Sequence, residues 1–149
     1  TSSSAATIPV TLKTTNQDLG VNQNVASFVV PVGATINMDG TAIMQGLATV
    51  FIAQMSGIDL TLFQYIQVIL LAVATSIGTA AVPSAGTITL IIILQQFNLP
   101  LEAIGIILAV DRVLDMIRTS VNVTGDAAIA CIVAKTENQL DENIFNSKA

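Results

Sequence analysis

The sequence predicts an all-α membrane protein assembled from broken transmembrane helices and re-entrant helical hairpins. Three observations lead there. First, 52% of the 149 residues are hydrophobic and 10% are charged, with a mean hydropathy of +0.75; an ordinary soluble domain carries about 25% charged residues. Second, two long apolar stretches are each interrupted near the middle by glycine, proline or hydroxyl residues. Third, Asp111, Asp115, Arg118, Asn122 and Asp126 follow one another at spacings of 4, 3, 4 and 4. At about 100° per residue they occupy an arc of roughly 80° on an otherwise apolar helix. Charges on a membrane helix are costly, so they face the protein interior and mark a path for a substrate or ion. The competing reading is a soluble amphipathic helix with its polar face in water, which the composition disfavours.

The elements follow in chain order. In residues 1–18, Ser2-Ser3-Ser4 reads as a polar tip, and Pro9 lies near the start of a short segment ending around Lys13 or Asp18. This is the pattern of the second half of a re-entrant hairpin. Residues 19–58 contain one charge, Asp39, inside Thr35-Ile36-Asn37-Met38-Asp39-Gly40-Thr41. From Val25 to Met55 the chain is long enough for one tilted span, and its polar centre, flanked by Gly33 and Gly40, reads as a break. Non-helical backbone at that depth must be buried in protein or line a cavity. The alternative is a turn between two buried helices of a soluble protein.

Residues 59–100 carry no charge beyond Asp59. Their middle, Ser76 to Gly86, holds two glycines and Pro83 and cannot continue as a helix. The two arms are short for a full crossing of about 20 residues, so a second re-entrant hairpin is expected; two full spans with a tight loop remain the alternative. Residues 101–136 are the final amphipathic transmembrane helix bearing the polar stripe. Residues 137–149, with Glu137, Asp141, Glu142 and Lys148, read as a soluble polar tail. Helix N-termini at the two hairpin tips offer free N–H groups and positive dipole ends to an anion, and repeated hairpins with a broken helix are a transporter signature.

Composition also excludes. The net charge of −5 comes mostly from the ends and the stripe, and no basic patch points to nucleic acid. With one cysteine, Cys131, and no histidine, an internal disulfide, a Ser-His-Asp triad and a histidine metal site are all ruled out. No nucleophile–base pair suggests an enzyme. Cys131 is expected to pack as a small apolar residue. The chain opens at Thr1 in a polar Ser-rich segment and is expected to be the C-terminal part of a longer membrane protein.

These residues carry a resemblance. Ser2-Ser3-Ser4 with Pro9, Asn37-Met38-Asp39-Gly40-Thr41, Ser76-Ile77-Gly78-Thr79 with Val82-Pro83, and Asp115-x-x-Arg118-Thr119-x-x-Asn122-Val123-Thr124-Gly125-Asp126 stand in the order and spacing of the dicarboxylate/amino acid:cation symporter family. That family includes excitatory amino acid transporters and archaeal aspartate transporters. The chain resembles the family's C-terminal core from Ser2 to Glu137. The resemblance implies an elevator-type transport domain that carries substrate and sodium past a fixed, trimerising scaffold. The scaffold would lie outside this chain, and the protein would be multi-pass in a plasma membrane, as in a bacterial inner membrane. No cofactor is implied beyond sodium as coupling ion.

The residue chemistry fits an acidic amino acid. Asp115 can pair with an ammonium, Arg118 offers a planar fork to a side-chain carboxylate, and Asn122 can donate to an α-carboxylate while accepting from the amine. The resemblance adds Thr41, Thr119 and the hairpin-tip backbone at Ser4, Val82 and Gly86 as substrate contacts. Asp39 and Asp126, read as buried carboxylates, would repel an anion unless cations offset them, and a hard cation such as sodium favours oxygen ligands. The family pattern places one sodium at carbonyls of Gly33, Asn37 and Asn122 with the Asp126 carboxylate. It places a second at carbonyls of Thr35, Ser76, Ile77 and Thr79, and a third at the side chains of Asn37 and Asp39.

Departures from the pattern sharpen the expectation. Archaeal relatives have an arginine at the position of Ser2 and animal relatives at that of Met116; this chain has Arg112 instead, as many bacterial dicarboxylate carriers do. Animal glutamate carriers have a proton-coupling glutamate where this chain has Gln45. Bacterial dicarboxylate carriers usually lack the carboxylate of Asp115, so its presence favours an amino acid. The leading reading is sodium-coupled symport of aspartate or glutamate. The alternatives are a proton- or sodium-coupled C4-dicarboxylate symporter and, from another class, an ion channel or passive pore.

Overall fold

The computed structural model describes residues 1–147; Lys148, placed in the polar tail, lies outside the described residues. The described residues are all-helical, apart from turns and one isolated bridge between Val21 and Leu140. Helix α1 spans Ser4–Gln17 and starts where the Ser3 hydroxyl accepts the Ala6 N–H at 3.1 Å, an N-cap that satisfies one of the orphan donors of the first turn. Thr7, Thr11 and Thr15, spaced one turn apart, each donate a hydroxyl to the carbonyl four residues back, at 2.8, 3.2 and 2.6 Å. This ladder lets hydroxyls sit on a buried face without losing a partner. The helix starts ahead of Pro9, which falls in its second turn.

Helix α2, Gln23–Ile36, is capped by Asn22 and gives way to α3, Asp39–Met55, after two residues. The break is narrower than the five-residue polar motif: only Asn37 and Met38 leave the helical region, at φ/ψ −87/81° and −111/46°. Asp39, Gly40 and Thr41 form the first turn of α3, where an acid complements the helix dipole. Helix α4, Leu62–Ile77, opens on a capping box of Thr61 and Gln64. Helix α5 is Ala85–Gln96. The turn between them covers 78–84, so Ser76, Ile77, Ala85 and Gly86 belong to helices rather than to the interruption. After a 3₁₀ turn at Leu101–Ala103 comes α6, Ile104–Thr136, of 33 residues and about 50 Å long at 1.5 Å per residue. A short α7, Glu142–Ser147, ends the described chain.

Helix α6 is the axis. Helices α1, α2, α3 and α5 pack against it, and α3 also packs on α4 and α5. Two apolar cores form at its ends. One joins Ile104 and Ile107 of α6 to Ile52 of α3 and Leu90 and Leu94 of α5. The other joins Ala130 and Ala134 to Val21, Ala26 and Val30, with Cys131 packed beside it as a small apolar side chain. Between them lies the polar stripe. All five of its members are buried, at 6% exposure or less, which removes the reading of a helix with its polar face in water.

Among the described residues, no helix is both long and apolar enough to cross a membrane. Helices α2 to α5 have 12 to 17 residues, at most about 26 Å against a hydrocarbon core of about 30 Å; α6 has the length but carries the charges. The outward faces are nonetheless apolar: Phe28, Leu62, Phe63, Leu70 and Ile88 are each 65–78% exposed.

The residues after Glu137 are not a free polar tail. The Asn22 N–H donates to the Gln139 carbonyl at 2.9 Å, and the Asp141 N–H donates to the Gly20 carbonyl at 2.8 Å. Gly20 permits this through a φ of +72° and the absence of a Cβ, which would run into the Asp141 carbonyl.

Candidate binding site

The stripe of α6 meets the α2–α3 break on one side and the α4–α5 turn on the other, and two distinct polar centres result. The first is Arg118, 6% exposed, whose Nη2 forms an ion pair with Asp115 Oδ1 one turn earlier. The other Asp115 oxygen accepts the Ser84 N–H at 2.9 Å. Arg118 Nη1 is buried and has no partner. Gly86 of α5 seats directly on the guanidinium, so that any Cβ at position 86 would overlap Nη1 and press on Thr41 Cγ2. A cleft of about 10 Å³ opens beside it, lined among others by Ser4, Thr41, Val82, Arg118, Thr119 and Asn122. Ser2, at φ +59°, also lines it, and its buried hydroxyl lacks a partner. The structure thus brings the expected substrate-contact residues to one place, with Gly86 and Asp115 closing around the arginine.

Two of the expected ligand contacts already have partners inside the protein. Asp115 and Arg118 do not stand apart awaiting opposite ends of a ligand; they neutralise each other, because a buried charge at i can reach its partner at i+3. Asn122 does not keep its carbonyl oxygen free for an amine. Its Oδ1 accepts the Gly40 N–H at 2.8 Å, one of the orphan donors at the start of α3, where Met38 supplies no side-chain cap. The Asn122 Nδ2 donates to Met38 Sδ at 3.3 Å, a weak acceptor, and reaches Thr41 Oγ1 only at 3.4 Å, and remains the better donor for a carboxylate. The starts of α3 and α5 are therefore both held by side chains of α6.

The second centre is Asp126, 1% exposed. Its Oδ1 accepts the Asn37 amide at 3.1 Å, and the same amide reaches the Asn122 carbonyl at 3.3 Å. Its Oδ2 is buried without a partner. Gly33 of α2 lies so close that a Cβ there would strike Oδ1, and Gly125 makes room for Asn37 in the same way. Gly33, Asn37, Asn122 and Asp126 are thus gathered at one point. No group of three or more His, Cys, Asp or Glu occurs among the described residues, so a cation here would rest on one carboxylate plus backbone and amide oxygens, the donor set a hard cation takes.

The remaining expected cation ligands are Asp39, whose Oδ2 comes close to Gly125 beside the Asn37 amide, and Thr35, Ser76, Ile77 and Thr79 on α2, α4 and the turn that follows α4. Asp39, read as buried, is exposed: as the first residue of α3 it lies at the surface, over Gly125. Thr35 is exposed, with its hydroxyl donated to the Val32 carbonyl. Ser76 and Thr79 are buried and donate their hydroxyls to Val73 and Thr75 carbonyls, while Ile77 is 52% exposed. Helices α2 and α4 touch, but no carboxylate joins this group.

Two residues singled out in the sequence have partners that the sequence did not show. Gln45, fully buried, donates to the Gly86 carbonyl at 3.1 Å and to Thr89 Oγ1 at 2.6 Å, and accepts the Thr75 hydroxyl at 2.9 Å, tying α3 to both arms of the α4–α5 pair. Asp111, the first member of the stripe, accepts hydroxyls from Ser84, at 2.6 Å, and Thr87. Its place on the stripe, one turn before Asp115, was the available signal.

Helix α6 thus buries an arginine–aspartate pair and, two turns on, a carboxylate with one oxygen unpartnered. The model of the Sodium:dicarboxylate symporter family matches residues 1–136, and the chain belongs to that family. It is 50% identical over 133 residues to an excitatory amino acid transporter of Caenorhabditis elegans, covering 89% of this chain and 26% of that protein. It is likewise 50% identical over 133 residues to excitatory amino acid transporter 2 of Homo sapiens, covering 89% of this chain and 23% of that protein. With excitatory amino acid transporter 3 of Mus musculus it shares 49% identity over 148 residues, 99% of this chain and 28% of that protein. The chain spans about a quarter of the length of the curated relatives it matches.

Proposed function

We propose that this chain is the substrate- and ion-binding core of a sodium-coupled acidic amino acid symporter. The observation that carries the reading is the buried Arg118–Asp115 pair, with one guanidinium nitrogen unpartnered under Gly86 and the arginine lining a cleft. An aspartate or glutamate has the complementary charges for both members: its side-chain carboxylate exchanges for Asp115 on the arginine, and its ammonium exchanges for Arg118 on the aspartate. A plain dicarboxylate satisfies only the arginine and leaves Asp115 uncompensated, which is costly in a buried site. The relatives' names point the same way.

Sodium enters at Asp126, whose free Oδ2 is the natural ligand, with the oxygens of Gly33, Asn37 and Asn122 around it. Asn122 belongs to both centres, through its carbonyl at the cation side and its amide at the cleft. Binding of either solute orders this residue for the other, and the coupling is reciprocal by necessity. In this reading α2–α3 is a broken span and α4–α5 a re-entrant hairpin, with α1 as half of another. The apolar outer faces meet lipid and a scaffold, and the whole protein works as a homotrimer by an elevator mechanism.

The test is uptake into vesicles containing the full-length protein. Aspartate uptake driven by an inward sodium gradient, blocked by glutamate or aspartate and weakly by succinate, is the expected result. Uptake inhibited equally by succinate would replace this reading by the C4-dicarboxylate one. Sodium current without concentrative uptake would replace it by a channel.

A further inference from the structure

Arg112 follows Asp111 on α6, yet the two polar centres make no use of it. Its side chain is exposed, whereas Asp111 and Asp115 beside it are buried. Among the described residues its guanidinium has no ion pair and no hydrogen bond. Asp111 is already committed to the hydroxyls of Ser84 and Thr87, and Asp115 to Arg118 and the Ser84 N–H. Lys135, at the other end of the same helix, is a contrast: it is equally open to the outside and pairs with Glu142.

The surroundings of Arg112 are apolar. The exposed side chains near it on α6 are Ile106, Leu108, Val110, Val113, Met116 and Ile117, each 48–60% exposed. A positive charge set among side chains that face lipid is costly, and arginine relieves the cost by carrying its charge to the headgroups. The depth suits this. Ser120 is the middle of the 33-residue α6, and Arg112 lies about 12 Å along the axis from it at 1.5 Å per residue. Half the hydrocarbon core is about 15 Å. The way outward is clear as well. One and two turns nearer the start of α6, on the same face, stand Ala109 and Gly105, and a Cβ at Gly105 would meet nothing within 4 Å.

The missing counter-charge must therefore be an anion that arrives together with apolar material. We propose that Arg112 and the side chains around it seat an anionic phospholipid. The guanidinium pairs with the lipid phosphate, which suits its planar fork, while Leu108, Val113 and Met116 lie against the acyl chains. The proposal rests on α6 crossing the bilayer, as the proposed function has it, and not on which solute is carried.

The experiment uses the full-length protein in detergent, with phosphatidylglycerol, phosphatidylcholine or inorganic phosphate added. Lipid retention is read by native mass spectrometry, and stability by thermal unfolding. Phosphatidylglycerol should bind the parent and raise its unfolding temperature. Arg112→Gln, which keeps the polar end and most of the stem, should bind it about five-fold more weakly and bind phosphatidylcholine as the parent does. Arg112→Lys should fall between them, since it keeps the charge without the fork. Equal phosphatidylglycerol affinity in the parent and Arg112→Gln would overturn the proposal. So would inorganic phosphate reproducing the rise in unfolding temperature, which would make the ligand a free anion. An Arg112→Gln protein that is less stable than the parent in phosphatidylcholine, yet responds fully to phosphatidylglycerol, would also overturn it and give Arg112 a carboxylate of another protein segment. A nitroxide at Val113→Cys, in a Cys131→Ala background in vesicles, checks the span separately. It should be more accessible to oxygen than to a water-soluble nickel chelate. The opposite order would overturn the span and the lipid seat together, whereas a lipid-facing label with a flat phosphatidylglycerol response would overturn the seat alone.

Discussion

Arg118 and Asp126 lie two turns apart on the same helix, equally buried, yet their surroundings treat charge in opposite ways. Arg118 has its counter-charge on α6 itself, in Asp115. Asp126 has an amide N–H on one oxygen and no partner on the other. A self-neutralised pair can exchange partners with a zwitterion at little net electrostatic cost, because each charge leaves one opposite charge for another. A lone buried carboxylate cannot; it gains most from a cation. The contrast is the physical ground for proposing the anion at one centre and the cation at the other.

The comparison breaks most visibly at the pair. Arg118→Ala should cost acidic substrates about 3–5 kcal/mol of affinity, the usual cost of stranding one member of a buried pair, whereas neutral amino acids should lose much less. Competition binding with aspartate and serine measures this; equal losses would remove the arginine from substrate recognition. Asp115→Ala should be of similar size for aspartate and spare a ligand that lacks the ammonium. Retention of aspartate affinity in that variant would make Asp115 structural and raise the dicarboxylate reading.

A smaller effect tests the cation side. Gly33→Ala places a methyl against Asp126 Oδ1, and overpacking at such contacts costs about 1–3 kcal/mol. Thermal unfolding should show lower stability and a smaller stabilising shift on adding sodium. A sodium shift equal to that of the parent would separate α2 from the cation site.

The smallest change in affinity is expected from Gln45→Glu, which keeps the shape of a fully buried side chain while replacing a donor to Gly86 and Thr89 with a titratable acid. Uptake by the parent should be independent of internal potassium and lack the proton cotransport that a glutamate at position 45 supports, since Gln45 cannot titrate, Met116 cannot stand in for an arginine, and Arg112 is exposed. The variant should acquire pH-dependent uptake. Parent uptake that stops when internal potassium is replaced by choline would contradict this.

The stripe was legible because helical periodicity and the cost of buried charge both act on one stretch of sequence. The break was legible as a place but drawn too wide: Asp39, Gly40 and Thr41 look like turn residues in isolation, yet an acid at the first turn of α3 is favourable to the helix. The burial of Asp39 was misjudged for the same reason, since a motif does not say which side of a helix start faces out. Pairing across the fold was not legible. The link from Asp111 to Ser84 spans 27 residues and joins two side chains; that from Gly40 to Asn122 spans 82 and arises because the start of α3 needs an acceptor where α6 passes. The attachment of the polar tail was not legible either, because polar composition says nothing of the backbone contact that Gly20 allows.

The most direct test of the division of labour is aspartate affinity measured across a range of sodium concentrations, in the parent and in Asp126→Asn. The account predicts a steep dependence in the parent and a shallower one in the variant, with affinities that converge as sodium is withdrawn, because the variant loses cation binding while Arg118 and Asp115 remain intact. Parallel lines of equal slope, displaced or not, would contradict it.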